Sequence, residues 1–140
     1  MPQFEPYLTF AGNCAEAMRT YEKILGGKLT LMKMGDSPMA APNAPPEARE
    51  RIMHARLELD GRSLMASDTM PDMTYDGMHG VSISLAFADV AQAKKVFDAL
   101  ADGGKVIMPL QKTFWVESFG MLVDRFGTHW MVNGGTPAAM

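Results

Sequence analysis

The sequence predicts an α+β fold of two βαβββ modules, and three observations predict it: an internal repeat, two amphipathic helix patterns, and two hairpin signals. Leu8-Thr9-Phe10 returns as Leu85-Ala86-Phe87, Asn13 as Asp89, Glu16 as Gln92, Ala17 as Ala93 and Tyr21 as Phe97. Gly26-Gly27-Lys28 returns as Gly103-Gly104-Lys105, with the second copy always displaced by 76 or 77 positions. A fixed displacement marks a repeated supersecondary unit. The modules are placed at residues 1–67 and 81–134, joined within one domain by a linker over 68–80 that is rich in Asp, Met and Gly.

Each module opens with a short apolar strand and turns into a helix. Asn13 and Asp89 precede Glu16 and Gln92 by three positions, the spacing of a capping box in which side chains satisfy the free amides of a helix start. Cys14, Ala17, Met18, Tyr21, Ile24 and Leu25 then recur at helical spacing, as do Val90, Ala93, Val96, Phe97, Leu100 and Ala101. The glycine pairs stop both helices. They follow helices rather than strands, so they are not phosphate-cradling loops.

A β-type run follows each helix, at 29–34 and 105–108. In the first module the strands 52–59 and 63–67 flank Asp60-Gly61, a strong hairpin pair; in the second, 120–124 and 128–133 flank Arg125-Phe126-Gly127. The intervening stretches, 35–51 with four prolines and 109–119, read as loops, with a short helix near 47–51.

Composition excludes several classes. The chain has 140 residues, 47% hydrophobic and 21% charged, and a formal net charge of -3, with a mean hydropathy of -0.06. It can bury a core, and it lacks the basic clusters that nucleic acid requires. Cys14 is the single cysteine, so neither a disulfide framework nor a multi-cysteine zinc site is expected. No stretch approaches the roughly 20 apolar residues of a membrane span, and the first residues lack a signal-peptide pattern, so the expected location is the cytoplasm. Methionine, with 14 copies, suits irregular core gaps and adaptable ligand surfaces alike.

Strand parity separates a helix-packed face from an open one. Met53, Ala55, Leu57 and Leu59 alternate with His54, Arg56 and Glu58. Val81, Ile83, Leu85 and Phe87 alternate with Ser82, Ser84 and Ala86, and Trp130 and Val132 with His129, Met131 and Asn133. Each sheet is thus expected to cover a helix on one side and to show small or polar groups on the other. Paired modules curling toward each other would make that second side a cleft.

Pro6-Tyr7-Leu8, Gly12-Asn13-Cys14, Tyr21, Gly26-Gly27, His54-Ala55 and Ser67-Asp68 belong to one pattern with Met108-Pro109-Leu110, Thr113-Phe114-Trp115 and the run from Asp124 to Trp130. This layout resembles the PhnB-like branch of the vicinal-oxygen-chelate superfamily, which includes glyoxalase I, bleomycin-resistance proteins and extradiol dioxygenases. The resemblance covers nearly the whole chain. It implies two βαβββ modules forming an open curved mixed sheet, the glyoxalase/bleomycin resistance fold, around a small-molecule site, usually in a homodimer. The branch is often labelled 3-demethylubiquinone-9 3-methyltransferase, a label that conflicts with the absence of a glycine-rich strand-to-helix turn.

Enzymes of the superfamily hold a divalent ion between the modules with His, Glu or Gln. Here the matching second-module positions fall at about Ser82 and Met131, and the first strand offers only Tyr7, Leu8, Thr9 and Phe10. A hydroxyl and a thioether are poor donors for such ions, so neither metal nor cofactor is expected. The first reading is a metal-free small-molecule binding homodimer whose cleft uses Tyr7, His54, Met65, Ser82, Trp115 and Met131. An alternative is a lyase or isomerase with a displaced metal site around His54 and Glu58, and a third is a structural dimer with a collapsed cleft. Whether any reaction is catalysed stays open. Cys14, at a helix start but on its apolar face, is a weak nucleophile candidate, and Asp124 and Arg125 read as a turn cap or ion pair.

Overall fold

A computed structural model describes residues 2–38, 40, 42–70 and 72–137. Positions 39 and 41 of the first loop and 71 of the expected linker lie outside the described residues. The chain divides into two compact units, Met1–Gly77 and Met78–Met140.

The first unit runs β1 (Tyr7–Phe10), α1 (Cys14–Leu25), β2 (Lys28–Lys33), a 3-10 turn (Met34–Asp36), α2 (Pro46–Glu50), β3 (Ile52–Leu59) and β4 (Arg62–Asp68). The second runs β5 (Ile83–Phe87), α3 (Val90–Ala101), β6 (Lys105–Gln111), β7 (Val116–Val123) and β8 (His129–Pro137). The sheet orders are β1-β4-β3-β2 and β5-β8-β7-β6. In each, the first and last strands of the unit pair in parallel and the others antiparallel. The two βαβββ modules are therefore present, each with its own four-stranded mixed sheet.

The cores follow the periodicities. Cys14, Ala17, Met18 and Tyr21 of α1 are buried, as are Leu8, Phe10, Ala55, Leu57 and Ala66 on the strands of that unit. In the second unit Ala93, Val96, Phe97 and Leu100 of α3 are buried, with Leu122, Trp130 and Val132 on the strands. Burying each large apolar side chain contributes about 1.5–3 kcal/mol. Asp60 and Gly61 have φ of 51° and 75°, the left-handed pair that a two-residue hairpin turn needs.

The repeated glycine pairs do two jobs. Gly26 ends α1 at φ 85°, its N–H donating to the Glu22 carbonyl. A Cβ at Gly27 would run into the Glu58 carbonyl, and one at Gly104 into that of Val123. The second glycine of each pair thus lets the chain leaving the helix pass close to a strand.

Four expectations need correction. Asn13 does not cap α1 with its side chain; the carboxylate of Asp68, from the end of β4, accepts from Gly12 N and Cys14 N instead. Asp89 does cap α3, accepting from Ala91 N. The stretch 109–119 is not a loop: β6 reaches Gln111 and β7 begins at Val116. Pro109 is tolerated because β6 is an outer strand of its sheet. Finally, Met32 pairs with His54 and Lys33 with Ile52, so Met53 is an extra residue that reverses parity upstream. Ile52, 2% exposed, takes the core position expected of Met53. Asp68 and the residues after it are also less of a linker than their composition suggests, since Thr69 N donates to Phe10 O and the Tyr75 hydroxyl to Thr9 O.

Candidate functional site

In the first unit the side of the sheet away from the buried residues carries Tyr7 and Thr9 on β1, Met65 and Ser67 on β4, His54, Arg56 and Glu58 on β3, and Thr30 and Met32 on β2. None of these is fully buried. Tyr7 stands opposite Met65 in the parallel pair, and Met65 opposite Arg56. Three of the candidate residues, Tyr7, His54 and Met65, therefore share one face.

Two of them touch. Tyr7 Oη lies 3.1 Å from His54 Nδ1, with ring centroids 5.8 Å apart and planes inclined by 33°. With the phenol donating, the imidazole proton sits on Nε2, which is left as a donor to a ligand oxygen. His54 does not pair with Glu58. Arg56 takes that carboxylate at 3.7 Å and donates to Ser63 Oγ at 2.9 Å, so the charges beside His54 are tied to each other.

In the second unit the open face mixes methionines with Ser84, His129 and Asn133. Met131 stands opposite Ser84 and Met121, and Met121 opposite Met108. Ser82 lies one residue ahead of β5 and is half-buried, so the strand partner of Met131 is Ser84. Trp115, in the short connection between β6 and β7, packs edge-on against Phe119 at 5.2 Å and Phe114 at 4.8 Å. Asn133, opposite Phe119, donates to Ser84 Oγ and Leu85 O. Ser82, Trp115 and Met131 thus belong to one unit, in which the strand partners of Met131 are Ser84 and Met121.

Two carboxylates organise the turns around these faces. Asp68, buried, also accepts from Ile52 N at 2.8 Å, which with Gly12 and Cys14 makes three backbone donors. Asp124, buried, accepts from Phe126 N, Thr128 N and Trp130 Nε1; it is the turn cap expected, and it also anchors the largest core side chain. Arg125 lies over the Phe126 ring at 4.6 Å. Cys14 is wholly buried, and burial together with the charge of Asp68 pushes its thiol up to about 12, so it stays protonated at neutral pH.

The donor set does not fit a divalent ion. Among the described residues no group of three His, Cys, Asp or Glu side chains is arranged to hold one. His54 has Tyr7 as its neighbour, and the two buried carboxylates are committed to backbone amides and, at Asp124, to the Trp130 indole as well. Nor is any described helix long and apolar enough to cross a membrane.

Comparison with known proteins agrees with this architecture. The profile of the 3-demethylubiquinone-9 3-methyltransferase family matches residues 2–133. Protein YjdN of Escherichia coli is 36% identical over 91% of this chain and 92% of its own. The crystal structure of protein PA1353 from Pseudomonas aeruginosa is 48% identical, covering 96% of this chain and 98% of its own at a TM-score of 0.88. Two more distant structures share the fold: PhnB protein from Bacillus cereus, 21% identical over 96% of this chain and 100% of its own at a TM-score of 0.74, and a glyoxylase/bleomycin resistance protein/dioxygenase domain from Frankia, 16% identical over 97% and 93% at 0.64.

Proposed function

Because this chain belongs to the 3-demethylubiquinone-9 3-methyltransferase family, in the PhnB-like branch of the glyoxalase/bleomycin resistance/dioxygenase superfamily, we propose that it is a small-molecule binding protein. It works as a homodimer in the cytoplasm and uses no divalent metal. The observation that carries this reading is the Tyr7–His54 pair, a hydrogen-bonded donor set on an open sheet face, where among the described residues no group of three His, Cys, Asp or Glu side chains could make a metal centre. Tyr7, His54 and Met65 are the ligand-contacting side chains proposed for the first unit's sheet, and Ser82, Trp115 and Met131 those proposed for the second unit.

Methyl transfer, which the family name describes, is not supported by the residues present. A sulfonium cofactor is typically bound on a parallel α/β sheet, beside a glycine-rich turn into a helix. Here each sheet has a single parallel pair, and the amides entering α1 are already taken by Asp68.

A thermal-shift screen of aromatic and cationic compounds tests the proposal. Binding is expected, with His54→Ala and Tyr7→Phe each weakening it by roughly 5- to 10-fold, the effect of one lost hydrogen bond. Nickel, zinc or manganese should leave the melting temperature unchanged. A stoichiometric divalent ion that survives dialysis, or a monomer by light scattering, overturns the corresponding part.

A further inference from the structure

The second sheet carries a feature that hydrogen bonding to a ligand does not explain. One cross-strand row runs through all four strands: Ser84 opposite Met131, Met131 opposite Met121, Met121 opposite Met108. Three of its four positions are thioethers. The row lies on the side away from α3, because the alternate positions face the helix: a Cβ on Gly120 would press on Phe97, and one on Gly134 on Ala93. Met108, Met121 and Met131 are all half-buried, which leaves them reachable but partly shielded from water.

Side chains directly opposite on neighbouring strands have Cβ atoms about 5 Å apart. A methionine sulfur stands two bonds beyond its Cβ on an unbranched, freely turning chain. The outer two sulfurs can therefore swing inward above the middle strand and meet that of Met121. The row holds no carboxylate, so hard divalent ions find no partner in it. Three neutral, polarisable sulfurs on one side of a shared point are instead the donors that soft ions select.

We propose that Met108, Met121 and Met131 form a binding site for a soft monovalent metal ion of the copper(I) class. This goes beyond the small-molecule reading and does not depend on it. Silver(I) nitrate, in chloride-free buffer, is the probe, because it has the same charge and softness and does not change oxidation state. The full chain, labelled at its methionine methyl carbons, is titrated and followed by NMR and calorimetry.

One equivalent is expected to bind, shifting the three methyl signals assigned by Met108→Leu, Met121→Leu and Met131→Leu. Met121→Leu, which conserves volume, should weaken binding at least tenfold, while Met32→Leu, in the other unit, should leave it unchanged. No binding, shifts confined to exposed methionines such as Met70 and Met73, or undiminished affinity in Met121→Leu overturns the proposal. If Met121→Leu does not fold, the methyl shifts of the parent chain decide alone. A chain that takes silver but no organic compound keeps this inference and loses the previous one, and the reverse outcome does the opposite.

Discussion

The two units start their helices at matching positions by different means. α1 begins beneath Asp68, a residue 54 positions away in sequence from Cys14, whose carboxylate takes Gly12 N, Cys14 N and Ile52 N. α3 begins under its own Asp89, which takes Ala91 N. The residue opposite Phe87 on β8, where Asp68 stands opposite Phe10 on β4, is Gly134. A Cβ there would come within 2.6 Å of the Ala93 methyl, so no carboxylate fits and the helix sits directly on the strand. A single topology thus supports two solutions: a buried long-range cap with room beneath the helix, or a local cap with close packing.

Substitutions sharpen that contrast. Asp68→Ala should have the largest effect, a loss of roughly 3–5 kcal/mol in urea unfolding, because backbone donors are left unpaired, two of them in buried bonds. A loss below about 1 kcal/mol would mean that water serves those amides equally well. Gly134→Ala should cost about 1–3 kcal/mol by overpacking against α3.

Cys14, which matches Val90 of the other unit, gives a pH effect. Below its ordinary value of 9.0 the thiol is protonated in both folded and unfolded chains. Between 9.0 and about 12 the unfolded chain releases a proton that the folded chain retains, so stability falls as pH rises, by at most about 1.4 kcal/mol per pH unit. Cys14→Val should remove that part of the slope in unfolding curves taken on either side of pH 9. Equal slopes would show that the thiol ionises in place.

The smallest effects are the most discriminating. Asp89→Ala should destabilise by about 1 kcal/mol, whereas Asn13→Ala should change stability by less than about 0.5 kcal/mol. Equal losses at the two sites would erase the distinction between them.

The same contrast shows what could be read from the residues. The two modules and their helices were legible because each rests on local spacing that occurs twice, and the Asp60-Gly61 turn because its two residue types name a hairpin by themselves. Asp68 was not, because its role depends on β4 pairing in parallel with β1, and in sequence it looks like the first residue of a polar linker. The open face around His54 was legible from alternation as far as the extra residue at Met53, which no pattern of residue types announces. In the second unit Pro109 hid the end of β6 and the start of β7. Met108 and Met121 fell inside expected strands, but the register that sets them beside Met131 and turns it from an isolated candidate into part of a row could not be read. Tyr7 and His54 were each nameable as candidates, but their contact arises only from strand order.

Pro109 has one more consequence. β6 is an outer strand, and its pairing with β7 is irregular on both sides of Met108. A strand arriving from another molecule would meet a missing donor at the proline and a distorted ladder around it, so it could not extend the sheet in regular register. The proline that obscures this strand in the sequence also guards it against fibrillar self-association.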